Sequence, residues 1–156
     1  MRKSWLLVYG GFGILLGEQH PAAHADCWQT TEDRFGVSRY LLLAIAETES
    51  AMNPSAISHN PDGSVDIGLM QVNSRWLPAL AAQGISMADL LDPCTSLEVG
   101  AWILAGNFVR YGYNWRAIGA YNARTESLRM RYAWQISRKL KMLAKEYPLE
   151  THGTTR

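Results

Sequence analysis

The 156-residue chain lacks the features that mark several large classes of protein. It has two cysteines and four unpaired histidines, too few and too scattered for a metal-ligand set. No repeat of 20–50 residues is present, which excludes solenoids and propellers, and no low-complexity tract interrupts the chain. The longest apolar run, Trp5 to Leu16, has 12 residues, whereas a bilayer span needs about 20. Strand-like alternation is scarce. The formal net charge of +1 argues against nucleic acid as the main partner. What remains is 47% hydrophobic and 19% charged, too apolar for disorder and of a size for one globular domain.

Arg2 and Lys3 precede the apolar run, and Ala23-His24-Ala25 follows it. A basic start, a short apolar stretch and a small-x-small site are the parts of a secretory signal. Gly10, Gly11 and Gly13 weaken the alternative of a buried N-terminal helix. Residues 1–25 are therefore expected to be a signal peptide, with the mature chain starting at Asp26. That mature chain has 13 basic and 13 acidic residues, unevenly placed. Asp26 to Trp115 carries 4 basic and 10 acidic residues, and Arg116 onward carries 9 and 3. After export, Cys27 and Cys94, 67 residues apart, are expected to form a disulfide. The chain-entropy account gives such a bridge about 4 kcal/mol. Lipidation of Cys27 is the alternative, but Asp26 stands where a small residue is wanted.

The pattern predicts a single mostly α (α+β) domain over residues 26–148, with a small β-hairpin and a tail at 149–156. Trp28 to Phe35 reads as a helix ended by Gly36. Ser38 is a candidate N-cap for a helix reaching Ser50. The turn-rich stretch from His59 to Ser64 puts Asp62-Gly63 at a hairpin turn. Arg75 to Ala82 reads as helical, and Ser86 with Asp89 as the start of a helical turn. Asp92-Pro93 opens a helix to about Tyr111, in which Trp102, Ile103, Leu104, Phe108 and Val109 imply burial. Asn114 is placed to cap a helix through Ala120. The last helix runs from about Glu126 to Tyr147, stopped by Pro148.

Two carboxylates stand out. With Leu41 at 0° on a helical wheel, Ile45 falls at about 40°, Glu49 at about 80° and Leu42 at about 100°. Glu49 thus lies within the apolar face, whereas Glu47, at about 240°, points to solvent. A buried carboxyl has its pKa raised and can serve as a general acid near neutrality. The wheel alone does not separate this from a helix end open to water. Farther on, oxygen-bearing side chains alternate at Asn60, Asp62, Ser64 and Asp66. The spacing hints at a calcium loop, but Val65 and Gln71 stand where glycine and glutamate are needed. A polar hairpin that presents Asp66, Gln71 and Asn73 toward the Glu49 helix is the better account.

Three short motifs then occur in order: Glu49-Ser50, Gly68-Leu69-Met70-Gln71 and Ala120-Tyr121-Asn122-Ala123. Together they resemble the soluble-lytic-transglycosylase (SLT) type catalytic domain, over roughly Cys27 to Thr125. The short exported form is similar to the small transglycosylases that accompany type III and type IV secretion, conjugation and pilus machines. The resemblance implies a lysozyme-like fold and cleavage of peptidoglycan between N-acetylmuramic acid and N-acetylglucosamine by a periplasmic enzyme. A monomer with no metal, cofactor or nucleic-acid partner is expected. Arg129, Arg131, Arg138, Lys139, Lys141 and Lys145 of the last helix supply only the charge of a nucleic-acid footprint, and a solvated helix face is the better account. Carried over, Glu49 is general acid and then base, and Ser50 orients it or polarises the glycosidic region. Gln71 and Asn73 line the sugar cleft, and Tyr121 and Asn122 help to place Glu49. Trp76, Trp102 and Trp115 are expected in the core rather than on sugars.

Asp66 departs from that pattern. The stretch Asp66 to Trp76 also resembles the active-site hairpin of c-type lysozymes, where a second catalytic aspartate sits at this position. Asp66 is then a candidate to stabilise an oxocarbenium-like transition state or to act as nucleophile, lysozyme being the type case for that logic. The alternative is that Asp66 only braces the hairpin. A non-catalytic glycan-binding subunit is a further alternative, against which the presence of Glu49 argues.

Overall fold

The computed structural model describes residues 22–146, with side chains from Cys27 onward. The expected signal peptide (up to residue 21), Pro148 and the tail at 149–156 lie outside the described residues. Six helices are present among the described residues: α1 (Ala22–Phe35), α2 (Arg39–Ser50), α3 (Leu77–Ala81), α4 (Pro93–Tyr111), α5 (Trp115–Gly119) and α6 (Glu126–Glu146). The mostly helical class read from the sequence is what is found. The helix α1 begins four residues before the expected mature start, so the cleavage site falls within a helical backbone.

The expected small β-hairpin is present and is extended by a third strand into an antiparallel sheet: β1 (Ile57–His59), β2 (Val65–Ile67) and β3 (Val72–Asn73), in that order. Ser58 pairs with Asp66, and Asp66 in turn with Asn73. The β1–β2 turn closes where predicted, with Gly63 at φ 80° and its N–H donating to Asn60 O at 3.0 Å. At two residues, β3 is too short to carry a period-2 signal.

Capping follows the sequence in two of three cases. Asp92 accepts from Thr95 N at 2.8 Å and Asn114 from Ala117 N at 3.1 Å. Ser38 occupies the N-cap position of α2, but its side chain makes no capping bond. The expected helix over Arg75–Ala82 is split into a 3₁₀ turn at Ser74–Trp76 and the short α3. Ser86 and Asp89 do bond each other, Ser86 N donating to Asp89 Oδ2 at 2.8 Å ahead of a 3₁₀ turn.

Leu42, Ile45, Ile67, Met70, Leu90, Leu97, Leu104 and Ile136 form the centre of the core, so α2, α4, α6 and the sheet close on one another. The reading of α4 as buried throughout is corrected: Ile103 and Leu104 are inside, but Trp102 and Val109 are exposed. A 19-residue helix on the surface of a small domain buries one stripe only. Trp76, Trp102 and Trp115 likewise lie outside the core, Trp76 and Trp102 packing edge to face at 5.4 Å. Cys27 and Cys94 form the expected disulfide, which ties α1 to the start of α4.

Candidate active site

A cavity of about 1030 Å³ is lined by residues of α2, the sheet, α4, the α5–α6 link and α6. Glu49, Asp66, Gln71, Asn73, Tyr121 and Asn122 all reach its wall. The sequence-predicted residues are therefore brought together, with the exception of Ser50.

Glu49 sits in the last turn of α2, on the face whose other members, Leu41, Leu42 and Ile45, are buried. Desolvation pushes its carboxyl above the ordinary value of 4.5, and the nearby charge of Asp66 adds to the rise. Two donors oppose that rise: Tyr132 O–H gives a bond of 2.5 Å and Asn122 Nδ2 one of 3.4 Å. Both converge on Oε1, and no side-chain donor of the described residues reaches Oε2. Burial and the charges of Glu49 and Asp66 hold Tyr121 well above its ordinary 10.0. Burial, then the charge of Glu49, does the same for Tyr132. Both phenols remain hydrogen-bond donors at any physiological pH.

Asp66 is held differently. Its Oδ1 accepts from Asn73 Nδ2 at 2.7 Å and its Oδ2 from Asn60 Nδ2 at 2.8 Å. Ser64 Oγ accepts from both amides as well. Beside this web, the hydroxyl and N–H of Ser64 hold Asp62 below its ordinary range, and Arg75 pairs with Asp62 at 2.7 Å.

The turn Gly68–Gln71 fixes the two walls against each other. Ser50 Oγ donates to Leu69 O at 2.7 Å, Ser96 Oγ accepts from Met70 N at 3.1 Å, and Tyr121 O–H donates to Met70 O at 2.8 Å. Gln71 Nε2 closes the turn onto Gly68 O and Ala56 O. Gly68 has φ 76°, and a Cβ there would stand 1.9 Å from Leu90 O, so no other residue fits. The non-glycine residues at positive φ among those described are Ala51, Met52 and Gln71. All three adjoin Glu49 or this turn, where backbone strain is characteristic of functional sites.

These bonds change the reading of three residues. Ser50 does not line the cavity; it anchors the end of α2 to Leu69. Gln71 and Asn73 do line it, but the NH₂ group of each is spent inside the protein, and Asn73 Oδ1 caps the next turn through Arg75 N. Tyr121 is tied to Met70, so Asn122 and Tyr132 are the groups that touch Glu49. Glu47 is less solvated than the wheel suggests, meeting Lys139 of α6 at 3.5 Å.

Sequence reasoning missed Tyr132. Its signal was a tyrosine on the stripe Tyr132, Ala133, Ile136, Leu143 of an otherwise basic helix, where a buried hydroxyl needs a partner. It also missed the arginines Arg110, Arg124 and Arg129 on the cavity wall and Asn107, whose buried Nδ2 has no hydrogen-bond partner.

Two carboxyl groups on one cavity, Glu49 on the helical side and Asp66 on the sheet, are the kind of pair that most glycoside-cleaving enzymes use. The family model described as Transglycosylase SLT domain matches residues 26–139, and the chain belongs to that family of lytic transglycosylases, which act on peptidoglycan. Among its relatives is "Invasion protein IagB" of Salmonella typhimurium strain SL1344, 51% identical over 132 residues, covering 80% of this chain and 82% of the other. "Protein IpgF" of Shigella flexneri is 39% identical over 127 residues (78% and 84%), and "X polypeptide" of Escherichia coli K12 is 35% identical over 144 (87% and 82%). The fold matches that of an inactive E503Q mutant of lytic transglycosylase Slt from Pseudomonas aeruginosa. The TM-score is 0.62 at 19% identity, over 81% of this chain and 24% of that one.

Proposed function

We propose that the enzyme cleaves the β-1,4 bond between N-acetylmuramic acid and N-acetylglucosamine and leaves a 1,6-anhydromuramic end. The observation that carries this is the desolvated Glu49 carboxyl on the cavity wall, raised in pKa and oriented through one oxygen. Glu49 Oε2 gives its proton to the glycosidic oxygen as the C1–O bond breaks. The positive charge that develops at C1 is stabilised by Asp66, fixed in the web of Asn60 and Asn73. The Glu49 carboxylate then takes the proton of the muramyl C6 hydroxyl as O6 bonds to C1. The acid is restored and no water is consumed. Asn122 and Tyr132 orient Glu49, and Gln71 and Asn73 shape the opposite wall.

The site of action is the periplasm, reached through a cleaved signal. The purpose is local opening of the wall for a secretion, conjugation or pilus apparatus. The relatives named for invasion and the basic-start, apolar-run, Ala23-His24-Ala25 pattern support this.

Mass spectrometry of peptidoglycan digested by the purified enzyme tests the chemistry. Anhydro ends are one water lighter than reducing ends. Mainly reducing ends would move the enzyme to the hydrolases, with Asp66 assisting water or acting as nucleophile.

A further inference from the structure

The outward face of α6 lies away from the site except at Arg131, which reaches the cavity wall. With Trp134 at 0° on a wheel, Met130, Arg138, Lys141, Met142 and Lys145 all fall within about 80° of it. The buried Tyr132, Ala133, Ile136 and Leu143 lie between about 160° and 260°, on the opposite side. All six residues of the outward face are exposed, Trp134 by 64% and Met142 by 60%. Arg138 stacks on the Trp134 ring at 5.1 Å, which holds the indole in place. The ion pairs of the described residues use Arg34, Arg39, Arg75, Arg116 and Lys139, and none of the cations on this face. Of the acids of α6, Glu146 falls outside this sector. Glu126 lies at its edge, about 80° from Trp134 on the side away from Met142, and is paired with Arg116 at 3.0 Å.

We propose that this face docks an acidic segment of another protein. Trp and Arg are enriched at the energetic centres of protein interfaces, and Met in their contact surfaces. Four other occupants fit less well. A membrane would take the apolar side chains, but Arg138, Lys141 and Lys145 lie between them and would be dragged out of water together. A second copy would set one row of cations against the same row in an isologous contact. The chain from residue 147 onward carries one acid, Glu150, and one base, Arg156. Residues 1–25 carry one acid and two bases. From Met130 to Lys145 the face is about 22 Å long, room for roughly 15 residues of a partner helix.

The test begins with a photoreactive amino acid at position 134 or 142 of the full chain, made in the cell that encodes it, with position 109 as control. The expected result is a crosslink from 134 and 142, absent from 109, to one protein with an acidic segment. Purified, that protein binds the wild-type enzyme. Trp134→Ala weakens binding about 30-fold or more. The triple change Arg138→Glu, Lys141→Glu, Lys145→Glu abolishes it, and acid-to-lysine changes in the partner restore it. Both variants still cleave purified peptidoglycan at the wild-type rate, which shows that they fold. The proposal is overturned by a crosslink to the enzyme itself, or by binding that the triple change leaves intact. It is also overturned if no protein is crosslinked, whether or not the chain binds phosphatidylglycerol–phosphatidylethanolamine vesicles.

Discussion

The cavity has two walls, and each holds a carboxylate by the opposite device. On the helical wall, Glu49 is set among apolar neighbours, and its donors come from 73 and 83 residues away. On the sheet wall, Asp66 is held by two side-chain amides six and seven residues from it. The first environment favours the protonated form and suits a proton donor; the second fixes a charge in place and suits electrostatic stabilisation. Residue type alone does not assign the two roles; the surroundings do.

The largest expected effect comes from breaking the helical wall. Glu49→Gln keeps the shape and an oxygen for Tyr132, but cannot move a proton, so cleavage falls by about 10²–10⁴-fold. The same change raises the melting temperature at neutral pH and above. A carboxyl whose folded pKa lies above its unfolded value contributes stability below the unfolded value and loses it as pH rises through the folded one. Above that range the wild type holds a desolvated charge, which the amide relieves. Melting curves of the two proteins from pH 4 to pH 8 are expected to diverge as pH rises.

Breaking the sheet wall costs less. Asp66→Asn removes the fixed charge, and the rate falls about 10²-fold while products stay anhydro-ended. One of the two amide donors on Asp66 then meets an NH₂ group, at a cost of about 1–3 kcal/mol in stability. Because the Asp66 charge helps to raise Glu49, its loss moves the alkaline limb of kcat/KM to lower pH. A folded variant with wild-type rate and unmoved limb would reduce Asp66 to a brace of the sheet.

A sharper version of the comparison uses Tyr132→Phe. The lost hydrogen bond was lowering the pKa of Glu49, so the alkaline limb moves to higher pH, opposite to the Asp66 variant. Asn122→Ala moves it in the same direction by less, its bond being the longer one. The rate at the optimum falls severalfold in Tyr132→Phe, and pH–rate profiles of the three variants read all of these signs.

Legibility in the sequence divides along the same line. The sheet wall is built by neighbours, so the alternation at 60, 62, 64 and 66 and the Asp62-Gly63 turn announced it. The apolar stripe of α2 put Glu49 on the inward face without separating burial from a helix end open to water, and Asp92 and Asn114 announced their helix starts. What lies across the chain did not show: that Tyr132 closes on Glu49, that Ser50 bonds Leu69, or that the tryptophans stay outside the core. The third strand was lost to its length. The motif Gly68-Leu69-Met70-Gln71 was legible as a resemblance only. Its physical content, a turn held by Ser50, Ser96 and Tyr121, needed the fold.

The smallest effect is expected two residues from the largest. Glu47 shares a helix, a charge and a neighbourhood with Glu49, yet its side chain is 36% exposed and meets Lys139 at 3.5 Å. Such a pair contributes about 0–1 kcal/mol, screened by salt. Glu47→Gln is therefore expected to leave the rate and both limbs of the pH profile in place, and to lower stability by about 0.5 kcal/mol or less. That small loss disappears at high ionic strength. If the variant instead lost activity as Glu49→Gln does, the contrast between the inner and outer faces of α2 would not be what selects the acid. The assignment of Glu49 would then rest on the motif alone.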